Sequence, residues 1–325
     1  MKNILITGGA GFIGSHLSQE LIKRGDNLII IDNFNDYYDQ NLKEKNVEEV
    51  YKDSQDYQCT YKIYRGDIRD KELVNKIFRE NTLDLVVALA ANAGVRPSIE
   101  DPLYYVDVNL VGLTNILEAM RKNNCKSLVF ASSSSVYGNN TKVPFSEKDS
   151  VDNPISPYAA TKKAGELLCY TYHKLFDLSI ACLRYFTVYG PRQRPDLAIN
   201  KFARLMSANE EISMYGDGTT SRDYTFISDI VDGTIKAMDY VCKETVYDIF
   251  NLGGSNPISL SQLIEIISRK MKISPKIKQL PMQPGDVNIT FSDYSHAKEI
   301  LGYEPKVQID EGISLFIDWF MYENN

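Results

Sequence analysis

Residues 2–25, KNILITGGAGFIGSHLSQELIKRG, decide the fold. Lys2–Thr7 reads as a short apolar strand. Ser15–Arg24 reads as a helix, with Leu17, Leu21 and Ile22 along one stripe and Gly25 placed to end it. Between them stand Gly8, Gly9, Gly11 and Gly14, so a strand turns directly into a helix. Glycine accepts positive φ and lets a ligand approach the backbone, while a helix N-terminus offers free N–H groups and a positive dipole end to an anion. Gly9-x-Gly11-x-x-Gly14 meets the dinucleotide fingerprint, and Gly8-x-x-Gly11-x-x-Gly14 meets its wider-spaced variant. A second apolar strand, Asn27–Ile31, ends at Asp32, eighteen residues beyond Gly14. An acid there would bind the hydroxyls of an adenosine ribose and repel a 2′-phosphate. The pattern predicts NAD rather than NADP.

The 325 residues suffice for one large domain or two modest ones, and 43% hydrophobic with 24% charged residues is ordinary for a globular chain. A net charge of −7 argues against nucleic acid as a partner, although a few local arginines would still serve an anionic small substrate. Cys59, Cys125, Cys169, Cys182 and Cys242 are odd in number and scattered, which predicts free thiols in a reducing compartment. His16, His173 and His296 show no ligand spacing, so no metal site is expected. No signal peptide precedes the first strand, and no apolar run reaches membrane-spanning length. A cytoplasmic protein without a membrane partner is expected.

Strands and helices then alternate. Tyr61–Arg65, Leu83–Leu89, Ser127–Ala131 and Ser179–Tyr185 read as strands, and Lys71–Arg79, Tyr105–Lys122 and Pro157–Phe176 as amphipathic helices. Near-continuous apolar strands separated by helices predict an α/β fold with a doubly wound parallel sheet of the Rossmann type. From Gly190 the texture becomes shorter and more mixed. Residues 1–189 are therefore expected to form the NAD-binding domain. Residues 190–325 are expected to form mainly a smaller α/β substrate lobe, with some elements returning to the first domain. Chemistry belongs at the carboxyl ends of the strands, in the cleft between the two.

Two motifs fall there. Ser132–Gly138 (SSSSVYG) follows the fifth strand, and Tyr158 and Lys162 of YAATK open a helix. The i, i+4 spacing puts phenol and ammonium on one helical face. A nearby ammonium, like a positive nicotinamide ring, favours the phenolate, so Tyr158 is expected to act as a general base near neutrality with a serine hydroxyl bridging it to a substrate alcohol.

Together these features resemble the extended short-chain dehydrogenase/reductases, and within them the nucleotide-sugar epimerases and dehydratases, almost from end to end. Asp32–Asp39 (DNFNDYYD), Ala93–Ser98 (AGVRPS), Ala131–Gly138 (ASSSSVYG), Arg184–Asp196 (RYFTVYGPRQRPD) and Met282–Val287 (MQPGDV) are most similar to UDP-glucuronate 4-epimerases. The resemblance implies Tyr158 as base, Lys162 as its partner and ribose ligand, and Ser133 as the bridging hydroxyl. It implies a cofactor site of Gly8, Gly11, Phe12, Ile13 and Gly14, with Asp32 and Asn33 on the ribose and Asp67 and Ile68 beside the adenine. Leu89, Ala90, Ala91 and Asn109 would line it, and Tyr185 would lie near the nicotinamide. Arg222 and Asp286 would contact the UDP end of a UDP-sugar with Tyr215 beside the uracil, and Arg96 would also bind the substrate. It also implies a homodimer through the Tyr105–Lys122 and Tyr158 helices, where Val108, Val111, Leu113, Ile116 and Leu117 exceed what one stripe requires.

Two departures stand out: Ala88 and Asn92 occupy positions where the family usually carries histidine and glutamine. Ser134 and Ser135 stand where dehydratases carry Asp-Glu, and uronate decarboxylases carry glutamate at the second of these positions. Epimerisation needs neither acid: Tyr158 takes the 4-OH proton, C4 gives hydride to NAD, the 4-keto sugar turns over, and hydride returns to its other face. Ser134, Ser135 and Thr187 would hold a uronate carboxylate. The alternatives are another UDP-hexose or UDP-N-acetylhexosamine modification and a non-catalytic NAD-binding sensor. The sensor reading would predict a damaged Tyr-x-x-x-Lys.

Overall fold

The computed structural model describes residues 1–282 and 287–323. Six strands, β1 (Asn3–Thr7), β2 (Asn27–Asp32), β3 (Tyr61–Arg65), β4 (Leu85–Ala88), β5 (Ser127–Ser133) and β6 (Ser179–Tyr185), occupy the first half. Helices α1 (Phe12–Lys23), α2 (Gln40–Asp56), α3 (Lys71–Glu80), α4 (Val95–Glu100), α5 (Pro102–Val106), α6 (Gly112–Lys122) and α7 (Pro157–Phe176) connect them. The second half adds β7 (Thr187–Tyr189), α8 (Ala198–Ser207), β8 (Glu211–Tyr215), β9 (Ser221–Phe226), α9 (Ile227–Val241) and β10 (Tyr247–Leu252). It ends with β11 (Pro257–Ser259), α10 (Leu260–Met271), β12 (Lys276–Leu280), α11 (Ser295–Leu301) and α12 (Ile309–Glu323).

Seven parallel strands form the central sheet in the order β3-β2-β1-β4-β5-β6-β10. This is the doubly wound Rossmann order extended by one strand. The aliphatic strands β1, β2 and β4 are buried on both faces, as their unbroken apolar runs require. Leu17, Leu21, Val50, Ile230 and Met238 of α1, α2 and α9 cover one face. Val74, Ile77, Leu113, Ile116 and Leu117 of α3 and α6, with Cys169 of α7, cover the other. Local signals set the helix starts: Asp70 accepts from the Glu72 and Leu73 amides, and Ser156 accepts from the Ala159 amide ahead of Pro157. Smaller sheets, β11-β9-β7 and β12-β8, belong to the second half, while β10 returns to the main sheet beside β6.

Two sequence expectations change. α2 was not foreseen, because its polar run buries little more than Val47 and Val50 among polar neighbours. The expected continuous helix over Tyr105–Lys122 is interrupted by a widened, π-type turn over Asp107–Val111. Of the five apolar residues counted towards a dimer face, Val108, Leu113, Ile116 and Leu117 are buried in the chain's own core, and only Val111 is exposed. They pack under the sheet and leave the outer face to other side chains.

His16 joins the two halves. Its Nε2 hydrogen-bonds the Pro191 carbonyl at 2.9 Å, and its ring meets Phe12 edge to face. Burial, reinforced by the charge of Arg192, lowers its pKa from 6.5 to about 4. Between those values the unfolded chain takes up a proton that the folded chain refuses, so stability present above pH 6.5 is lost as pH falls towards 4. His16→Gln is expected to remove about 3 kcal/mol of that acid loss, measured by urea unfolding across the window. Parallel pH profiles for the two proteins would contradict this.

Candidate active site

The glycine turn opens a cavity of about 370 Å³ at the carboxyl ends of the strands. Gly8 adopts φ +73°, and a Cβ there would stand 3.0 Å from the Ala90 backbone. At Gly14 a Cβ would come within 2.3 Å of the Gly8 carbonyl oxygen, so strand and helix approach as closely as they do only without side chains. Gly8, Gly11, Phe12, Ile13 and Gly14 line this end. Beside them come Asp32 and Asn33 after β2, Asp67 and Ile68 after β3, and Leu89, Ala90 and Ala91 after β4. Asp32 accepts from the Ala10 amide at 3.1 Å and the Phe34 amide at 2.9 Å, and Lys43 lies 4.0 Å away. Burial raises the Asp32 pKa, and these partners offset part of the rise. Burial also opposes charge on Asp67, but bonds from Arg69 and Asn33 prevail and hold its carboxyl below the usual range.

Ser133, Tyr158, Lys162, Tyr185 and Thr187 line the other end. Ser133 lies beside the Tyr158 phenol and favours its ionisation, and it accepts from the Ser135 hydroxyl at 3.0 Å. Tyr105 meets the Tyr158 ring edge to face, with centroids 6.2 Å apart. Lys162 donates to the Ala131 carbonyl at 2.7 Å and sits 5.9 Å from the centroid of the Tyr158 ring. Burial lowers the Lys162 pKa to about 8. Burial also raises that of Tyr158. The expectation that the nearby ammonium lowers the tyrosine pKa is thus corrected: burial prevails, and Ser133 and Arg194 are the groups that offset part of it. Tyr185 donates to or accepts from Thr234 at 2.9 Å, which anchors its ring at the cavity wall.

Over residues 5–316 the sequence matches the family described as GDP-mannose 4,6-dehydratase. The chain belongs to that family. It is 44% identical over 320 residues to a UDP-glucuronate 4-epimerase of Thermodesulfobacterium geofontis, covering 98% of this chain and 96% of that one. Its structure is similar to that of a Bacillus cereus UDP-glucuronic acid 4-epimerase solved with UDP-glucuronic acid and NAD (TM-score 0.90, 35% identity, 99% of each chain). A UDP-glucose 4-epimerase from Thermotoga maritima, solved with UDP-glucose, is also similar (TM-score 0.89, 32% identity, 99% of this chain and 100% of that one).

Within this family member, several of the expected site residues lie outside the lining of this cavity. Asn109 is absent from the cavity lining: its amide oxygen accepts from the Asn92 backbone at 2.8 Å, and its nitrogen donates to Asn92 and Thr161. It occupies the widened turn and steadies the cavity wall from behind. Asn92 itself lines the cavity, whereas Ala88 is buried in β4, so of the two departures only Asn92 faces the cavity. Ser134 and Ser135 fall in a short turn outside the lining, and Ser135 is engaged with Ser133. The Arg96 guanidinium stacks over the Tyr215 ring at 4.8 Å, away from the cavity lining. Arg222 on β9 donates to the Ser221 carbonyl. Asp286 lies outside the described residues.

Sequence reasoning missed Lys43, Tyr38 and Arg194, which all line the cavity. Arg194 is paired with Asp196 through Nε at 3.0 Å and Nη2 at 2.7 Å, and stacks over Tyr37. Its only sequence signal was the charge-dense GPRQRPD segment, which reads equally well as a solvated loop.

Proposed function

We propose that the chain is an NAD-dependent UDP-sugar 4-epimerase that interconverts UDP-glucuronate and UDP-galacturonate. One observation carries this reading: Ser133, Tyr158 and Lys162 converge in a cavity whose other end is the glycine turn, with Thr187 and Arg194 in the same lining. The residues suit NAD. Gly8, Gly11, Phe12, Ile13 and Gly14 offer a helix N-terminus to a pyrophosphate, and Asp32 offers a buried carboxylate to ribose hydroxyls. Asn33 would assist at that ribose, Asp67 and Ile68 would flank the adenine, and Leu89, Ala90, Ala91 and Tyr185 would border the rest. When bound, NAD supplies acceptance of the C4 hydride and its return to the opposite face of the sugar.

The protein's own residues handle the proton and the pose. Ser133 bridges the sugar 4-OH to Tyr158, which takes its proton and later gives it back. Lys162 adds positive charge beside the phenol and reaches the nicotinamide ribose. Thr187 and Arg194 would hold a uronate carboxylate. Bonds to a charged acceptor are worth roughly 1.5–3 kcal/mol each, and holding the carboxylate restrains loss of carbon dioxide from a 4-keto acid. Tyr215, Arg222 and Asp286 are assigned to the UDP end, and Arg96 to the substrate. The relatives named as UDP-glucuronate 4-epimerases support this assignment of substrate.

All five cysteines are free, and among the described residues no helix is long and apolar enough to cross a membrane. Both facts fit the reducing cytoplasm that we assign. We also assign a second copy of this chain to the exposed apolar side chains Ile99, Leu103, Val106, Val111, Leu167 and Tyr170. They lie on α4, α5, the widened turn and α7, which pack on one another.

Purified protein given UDP-glucuronate should form UDP-galacturonate without added cofactor, followed by proton NMR. Tyr158→Phe should lower kcat by about two to four orders of magnitude while remaining folded. A wild-type protein inert towards both sugars, or a folded variant with near-normal turnover, would overturn the reading. Light scattering at micromolar concentration should give twice the 36.9 kDa chain mass; a monomer mass rejects the dimer.

A further inference from the structure

Glu166 takes no part in the chemistry above, yet its carboxylate joins the elements that carry that chemistry. It lies on α7 one turn beyond Lys162 and is fully buried. Oε1 accepts from the Ser132 hydroxyl at 2.7 Å and from Arg184 Nε at 2.8 Å, while Oε2 accepts from Arg184 Nη2 at 2.9 Å. Lys163 Nζ stands 3.7 Å from Oε2. Arg184, also buried, donates from Nη1 to the Tyr137 hydroxyl at 2.9 Å, and that hydroxyl donates to Asn251 on β10 at 2.7 Å. One bonded network thus spans α7, β5, β6, the turn after Ser133 and β10. In the β5–β6 register Ser132 pairs with Arg184, and the next pair is Ser133 with Tyr185.

A network of this kind is not needed merely to fill space. Apolar residues of similar volume commonly replace a buried ion pair with no loss of stability, because desolvation of both charges is avoided. What apolar packing lacks is direction: a bidentate guanidinium–carboxylate pair fixes distance and orientation together. Chemistry between a hydroxyl and a phenol demands that fixing, since a displacement of about 1 Å costs on the order of a hundredfold in rate.

We infer that Glu166 is a positioning residue: with Arg184 and Ser132 it locks α7 against the ends of β5 and β6 and so sets Ser133 relative to Tyr158 and Lys162. This rests on the reading of those three residues as the catalytic centre. Glu166→Gln leaves Arg184 a buried, unmatched cation, so both melting temperature and kcat should fall. The decisive variant is Glu166→Met with Arg184→Met, which removes both charges. Its melting temperature is expected to return to within a few degrees of wild type. Its kcat should remain about 10–100-fold down with KM for the sugar unchanged. Amide exchange over residues 132–138 should run about tenfold faster than in wild type. Recovered stability with wild-type kcat or wild-type exchange overturns the proposal, and so does a double variant that cannot fold, since the pair would then be structural. Wild-type protein inert towards UDP-sugars sinks the epimerase reading alone, because the exchange comparison needs no substrate and still decides the positioning role.

Discussion

A phenol and an ammonium share a cavity whose burial works against the charged form of each, and the working of the site follows from that. Tyr158 is raised by burial and Lys162 is lowered to about 8 by it. Lys162 donates one hydrogen bond to the Ala131 carbonyl and keeps its charge, yet Tyr158 stays raised. Proton acceptance by Tyr158 therefore calls for further positive charge at the same end of the cavity. The proposed cofactor in its oxidised form brings that charge, which ties the base to the oxidation step. Arg194 contributes in the same direction from the cavity wall.

The scaffold serves this end by placing every group at a strand terminus. The glycine turn brings the α1 N-terminus to one end of the cavity, and the β5–β6 register brings Ser133 and Tyr185 to the other. Behind them lie two buried polar arrangements. Asn109 ties the Asn92 backbone to Thr161, which bonds the Tyr158 carbonyl, and Glu166 ties Ser132 to Arg184. Burying polar groups is tolerable only when they are bonded, and here each donor meets an acceptor. A rigid rear wall leaves the cavity face free for chemistry.

Local patterns were the legible part of the sequence. The glycine spacing, the strand Tyr61–Arg65, the strand Ser179–Tyr185 and the helix Pro157–Phe176 appear with the boundaries that periodicity, caps and proline dictate. The residues that escaped notice depend on contacts distant in sequence. Lys43 is a lysine on a polar helix until α2 packs on α1 and buries it near Asp32. Glu166 looks like one more charge on α7 until Arg184 arrives from the next strand. The apolar excess around Val108–Leu117 misled for a related reason. Periodicity reports how many apolar residues a helix has, while the widened turn at Asp107–Val111 rotates which of them face the sheet.

An internal redox cycle at the sugar's C4 is the core of this account, and an isotope tests it directly. UDP-glucuronate carrying deuterium at C4 should yield UDP-galacturonate that keeps the deuterium at C4, because the hydride that leaves is the one that returns. Mass spectrometry and NMR of product formed in ordinary water read this without ambiguity. Product bearing protium at C4, with deuterium released to solvent, would contradict the account and require proton abstraction in place of hydride transfer.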